Sequence, residues 1–88
     1  MRWTIKVVNK TQRAIAKLDP QSRQRIVKFI QETLPEMDNP RQQGKALQGN
    51  LSSYWRYRVG DYRVICDIID NEITIVVVEV GLRSKIYK

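Results

Sequence analysis

From Tyr54 to Val80 the sequence holds three strand-like runs, Tyr54–Val59, Tyr62–Ile69 and Glu72–Val80, separated only by Gly60-Asp61 and Asp70-Asn71. Breaks this short join antiparallel neighbours, because a parallel partner needs a crossover of a dozen or more residues. The first break suits a two-residue hairpin with glycine at its first central position. The C-terminal half is therefore expected to be a three-stranded antiparallel meander.

That turn fixes a register. Val59 falls opposite Tyr62, Arg58 opposite Arg63, Tyr57 opposite Val64 and Arg56 opposite Ile65. Side chains alternate along a strand, so Trp55, Tyr57, Val59, Tyr62, Val64 and Cys66 share one face. Arg56, Arg58 and Arg63 share the other, with Asp67 two places beyond Ile65. Like charges directly opposite each other destabilise a sheet by some tenths of a kcal/mol, about 0.2–1 per pair. Either the guanidinium groups splay into water near Asp67, or they form a surface for phosphate, whose oxygens fit their fork-shaped donors.

Ahead of the meander, Trp3–Val8 alternates as a first strand. Lys10–Leu18 has Ala14, Ile15 and Leu18 at helical spacing, with Asn9 or Thr11 as the expected cap. Asp19-Pro20 restarts the chain as a second helix, with Asp19 as cap and Pro20 in the first turn. This helix is expected to reach about Leu34, burying Ile26, Phe29, Ile30 and Leu34, and to stop at Pro35. Residues 36–53 carry Pro40, Gly44, Gly49 and many amides and read mostly as loop. No repeat or linker is visible. The expected fold is one α+β domain over residues 1–88: an N-terminal strand, a helical hairpin, and a meander forming one small sheet with the helices packed on it.

Sixteen Lys and Arg against nine Asp and Glu give a net charge of +7, which favours an anionic partner. Through Gln31 eight cations (Arg2, Lys6, Lys10, Arg13, Lys17, Arg23, Arg25 and Lys28) face a single acid, Asp19. There is no histidine, which excludes a histidine base, a serine–histidine triad and an ordinary zinc site. The carboxylates are dispersed, without a metal-ligating cluster. The lone Cys66 excludes an internal disulfide and reads as a small core residue. No apolar run has transmembrane length and the N-terminus has no signal-peptide pattern, so a cytoplasmic, membrane-free protein is expected.

The KALQGN approach, the block YWRYRVGDYRVI and the closing VEVGLRSKIY together resemble the RelE/ParE superfamily of bacterial and archaeal toxins, over essentially the whole chain. The resemblance implies a small sheet flanked by helices and a cognate antitoxin as partner, in a toxin–antitoxin hetero-oligomer. The RelE branch cuts messenger RNA in the ribosomal decoding site, by attack of a ribose 2′-hydroxyl on the neighbouring phosphorus, without metal or cofactor. Carried onto this chain, the catalytic set is Arg56, Arg58, Arg63, Arg83 and Tyr87, with Arg56, Arg58 and Lys85 on the RNA. Arg63 and Arg83 would hold the scissile phosphate. Arg56 and Arg58 would orient the neighbouring backbone, and Tyr87 would stack on a base or assist proton transfer.

The chain departs from that branch in two places. Arginine stands at 56 and 58 where lysine is frequent, and Leu82 fills a slot that holds histidine in many relatives. A guanidinium stays protonated, so a base would have to come from Tyr87, Lys85 or the ribosome. The alternative within the superfamily is a ParE-type inhibitor of DNA gyrase without catalytic activity. A decayed relative that only binds antitoxin or operator DNA would have lost the arginines.

Overall fold

The computed structural model describes residues 2–46 and 54–82. Five strands, β1 (Thr4–Val7), β2 (Lys45–Ala46), β3 (Tyr54–Val59), β4 (Tyr62–Ile69) and β5 (Thr74–Leu82), form one mixed sheet in the order β1-β5-β4-β3-β2. The meander β3–β4–β5 is antiparallel, and β1 joins it parallel to β5. Two helices, α1 (Asn9–Ala16) and α2 (Pro20–Lys28), connect β1 to the rest, and a short α3 (Pro40–Gln43) leads into β2.

The core lies between the helices and one sheet face, where Ile15, Ile26, Ile30 and Leu34 meet Tyr57, Val64, Cys66, Ile68, Ile75 and Val77. Burial pushes the Cys66 thiol up to about 12, which leaves it an inert core group. Among the described residues no helix is long and apolar enough to cross a membrane.

Local chemistry explains most boundaries. The Asp19 carboxylate accepts from the Ser22 backbone amide at 3.1 Å, with Pro20 in the first turn, as the sequence predicts. The first helix instead starts after Val8, without a side-chain cap. Thr11 is otherwise engaged. It is 2% exposed, and its hydroxyl donates to the Val78 carbonyl at 2.7 Å. That carbonyl sits where the β4–β5 register shifts between Ile65 and Cys66, so α1 satisfies an acceptor on the irregular stretch of β5.

The second helical stretch runs past Pro35. After α2 the chain makes a π-helical segment, Phe29–Thr33, then a 3-10 turn, Leu34–Glu36. Buried Ile26, Ile30 and Leu34 recur every four residues, which on a regular α-helix drifts about 40° per step. A wider π turn returns them to one face. Pro35 sits inside the 3-10 turn, whose early positions need no donor from it. Trp3 fastens the start of β1 here, its backbone amide donating to the Pro35 carbonyl at 2.9 Å and its indole to the Met37 carbonyl at 3.0 Å.

The stretch expected as loop holds α3 and β2 in its described part, and residues 47–53 lie outside the described residues. Asn39 caps α3 by accepting from the Arg41 amide at 3.1 Å. Tyr57, only 3% exposed, donates its hydroxyl to the Pro40 carbonyl at 2.8 Å. Burial raises the Tyr57 phenol, so it stays a donor. Arg41 forks onto Asp70 at 2.8 and 2.7 Å and stands 5.9 Å over the Trp55 ring. Its guanidinium holds the Asp70 carboxyl below its ordinary value, so the pair is intact at neutral pH and opens only as pH falls through that lowered value. The second meander connection is also longer than two residues: a 3-10 turn, Asp70–Glu72, followed by Ile73 in a left-handed conformation at φ 49°.

Gly44 closes this arrangement. A Cβ placed on it would stand 2.9 Å from Cε1 of Tyr57 and 3.0 Å from the Arg56 carbonyl oxygen, closer than side chains tolerate. Gly44→Ala is therefore expected to destabilise by about 1–3 kcal/mol, as overpacking does. A thermal melt checks this, and a variant melting with the wild type would show that the contact has slack.

Candidate phosphate-binding face

The expected register holds along the whole β3–β4 pair. Arg58 lies opposite Arg63, Tyr57 opposite Val64 and Arg56 opposite Ile65. Gly60 takes φ 60° in the two-residue turn, a value that suits glycine. Because Tyr57, Val64 and Cys66 point into the core, alternation puts Arg56, Arg58 and Arg63 on the face turned away from the helices. The strands hold these groups on a rigid backing.

The three arginines differ in setting. Arg58 is exposed, whereas Arg56 and Arg63 are half-buried. The Nε and Nη1 atoms of Arg63 are shielded from solvent. Ile65, between Arg56 and Arg63 on this face, is 4% exposed although it lies outside the main core cluster. The face thus has an apolar floor, which lowers the local dielectric and strengthens the pull of the guanidinium groups on an anion. Asp67 lies opposite Tyr54, farther along β4.

Three residues join this face that sequence reasoning did not place there. Lys45 on β2 pairs with Arg56 and so adds a fourth cation to the row. On β5, Glu79 stands opposite Ile65 and Gly81 opposite Arg63. Lys45 precedes no alternating run, and β5 reads as nearly continuous apolar sequence, so neither position announces its face. Arg83, Lys85 and Tyr87 lie outside the described residues; β5 ends at Leu82, opposite Tyr62.

The family model described as ParE toxin of type II toxin-antitoxin system, parDE, matches residues 2–87. The chain belongs to the RelE/ParE toxin superfamily. This RelE/ParE toxin is similar in structure to a chain of the toxin–antitoxin complex RelBE2 from Mycobacterium tuberculosis, with a TM-score of 0.84 and 28% identity, covering 94% of this chain and 100% of that one. A chain of the archaeal RelE–RelB complex from Pyrococcus horikoshii gives a TM-score of 0.74 at 24% identity, covering 97% of this chain and 99% of that one. The isolated RelE toxin of Escherichia coli gives 0.70 at 20% identity, covering 97% and 90%. These last two are likenesses of fold. No curated protein sequence matches significantly. The chain is a toxin of a type II toxin–antitoxin system.

Proposed function

We propose that this toxin cuts messenger RNA presented by the ribosome, through attack of a ribose 2′-hydroxyl on the adjacent phosphate. The opposed pair Arg58 and Arg63, with Arg56 beside them, carries this reading. Phosphoryl transfer passes through a crowded, negatively charged transition state that fixed cations stabilise. Arg63 holds the scissile phosphate together with Arg83, while Arg56, Arg58 and Lys85 bind the neighbouring backbone. Tyr87 stacks on a base or passes a proton. The ribosome holds a flexible message in the in-line geometry that free RNA rarely visits.

The similarity to a RelBE2 chain supports a cognate antitoxin as the cytoplasmic partner, in a toxin–antitoxin hetero-oligomer. An antitoxin segment rich in carboxylates would neutralise the arginine face. The ParE description of the matching family favours the second reading, inhibition of DNA gyrase without chemistry.

Mapping messenger RNA 5′ ends after induction, with and without active translation, separates the two. Cuts confined to translated frames are expected, together with very slow cleavage of naked RNA by pure protein. Intact messages with DNA damage would select the gyrase reading. Rapid cutting of naked RNA would remove the ribosome from the mechanism.

A further inference from the structure

Attack by a 2′-hydroxyl needs a group to receive its proton, and this chain has no histidine. The sheet brings a carboxylate to the place required. Glu79 lies opposite Ile65 and Gly81 opposite Arg63, two residues apart on both strands, so the register is regular there. Glu79 is therefore the diagonal neighbour of Arg63, at a spacing of about 7–8 Å with the Cβ atoms somewhat closer, a gap that two long side chains bridge around a bound group. Gly81, directly across from Arg63, has no side chain, which leaves room for that group beside the guanidinium. Glu79 itself is exposed. The other carboxylate on this face, Asp67, is four residues from Arg63 along β4, about 13 Å away and beyond Ile65.

We infer that Glu79 is the general base of RNA cleavage, taking the proton of the ribose 2′-hydroxyl next to the phosphate held by Arg63. This rests on the RNA-cleaving reading above. Strand order supplies the in-line geometry: Glu79 on β5, Arg63 on β4, and Arg58 and Arg56 on β3. The nucleophile stands on the β5 side of the phosphorus and the leaving oxygen on the β3 side, among cations. The O2′–P bond forms as the 2′-hydroxyl proton passes to the carboxylate, and the P–O5′ bond breaks. The products are a 2′,3′-cyclic phosphate and a 5′-hydroxyl. The departing O5′ takes a proton from water, and the hydroxide left behind is neutralised by the proton that Glu79 had accepted.

A carboxylate that merely offsets the arginines predicts something different. Removing it would then tighten RNA binding and leave the rate alone. Single-turnover cleavage on ribosomes with a vacant decoding site, at saturating toxin and across pH, distinguishes the roles. Glu79→Gln is expected to cut about 10²–10³-fold more slowly, with unchanged or tighter binding and loss of the rise in rate with pH on the acid side. Glu79→Asp, which keeps the carboxylate, should retain that rise at a reduced rate. A Glu79→Gln toxin within about threefold of wild type, with the same pH profile, overturns the assignment while the cleavage reading stands, since a base is worth far more than that. Wild-type protein that leaves ribosome-bound messages intact overturns both.

Discussion

Arg58→Ala is expected to relieve growth arrest while leaving the melting temperature unchanged or slightly raised. Arg58 is exposed and faces Arg63 directly, so its removal takes away a like-charge contact and no packing. On the β3 side Arg58 faces the oxygen that leaves, and removing one positioned group from where charge develops is worth about 10²–10³ in rate. Arg63→Ala should be at least as damaging to activity, with some loss of stability because Arg63 is half-buried. Arg63→Lys keeps the charge but not the fork, and should recover little. Plating assays with induced toxin, beside thermal melts, read both quantities. An Arg58→Ala protein that still arrests growth would remove the sheet face from the site.

Tyr57→Ala is expected to be the most destabilising of these substitutions, at about 3–5 kcal/mol. The ring is 3% exposed, packs 5.6 Å from Phe29 between ring centres, and holds α3 through the Pro40 carbonyl. One kcal/mol moves the melting point of a domain this size by roughly 4–8 °C, so the variant should be largely unfolded at growth temperature. Tyr57→Phe keeps the ring but strands a carbonyl, for about 1–2 kcal/mol. Trp55 shares the core-facing side but is only half-buried, beside the two-residue β2 at the sheet edge. Its truncation should cost less than that of Tyr57. Denaturant midpoints would rank the three, and Trp55→Ala falling below Tyr57→Ala would contradict the packing described here.

The contrast between these two aromatics shows what could be read from residue order. Alternation assigns Trp55 and Tyr57 to the same face but says nothing of how deeply each is covered, which depends on α3 and Gly44 arriving from ten or more residues away. The Arg58–Arg63 pairing was legible because a two-residue turn leaves a single register. The position of Glu79 was not, since it requires β5 to be aligned through a 3-10 turn and past a register shift at Ile65 and Cys66. Lys45 belongs to a strand too short to show a period. Neither Asn9 nor Thr11 caps the first helix, and the carbonyl that Thr11 serves lies 67 residues further on, out of reach of local pattern. Local signals fixed the local elements, and the site was completed by contacts distant in sequence.

The pairing of β1 with β5 sets a timetable for biosynthesis. Thr4 lies beside Thr74 and Val7 beside Val77, so β1 waits for β5 to be made. Contacts so far apart in the chain form late, after loop closure across the intervening residues. A nascent chain can make its helices and the β3–β4 hairpin early, but Ile15, Ile26 and Ile30 have no complete sheet to cover them while β5 is still inside the ribosomal exit tunnel. The sheet that backs the arginines therefore closes only after β5 has left the tunnel, and until then the helices and the hairpin wait with one apolar face uncovered.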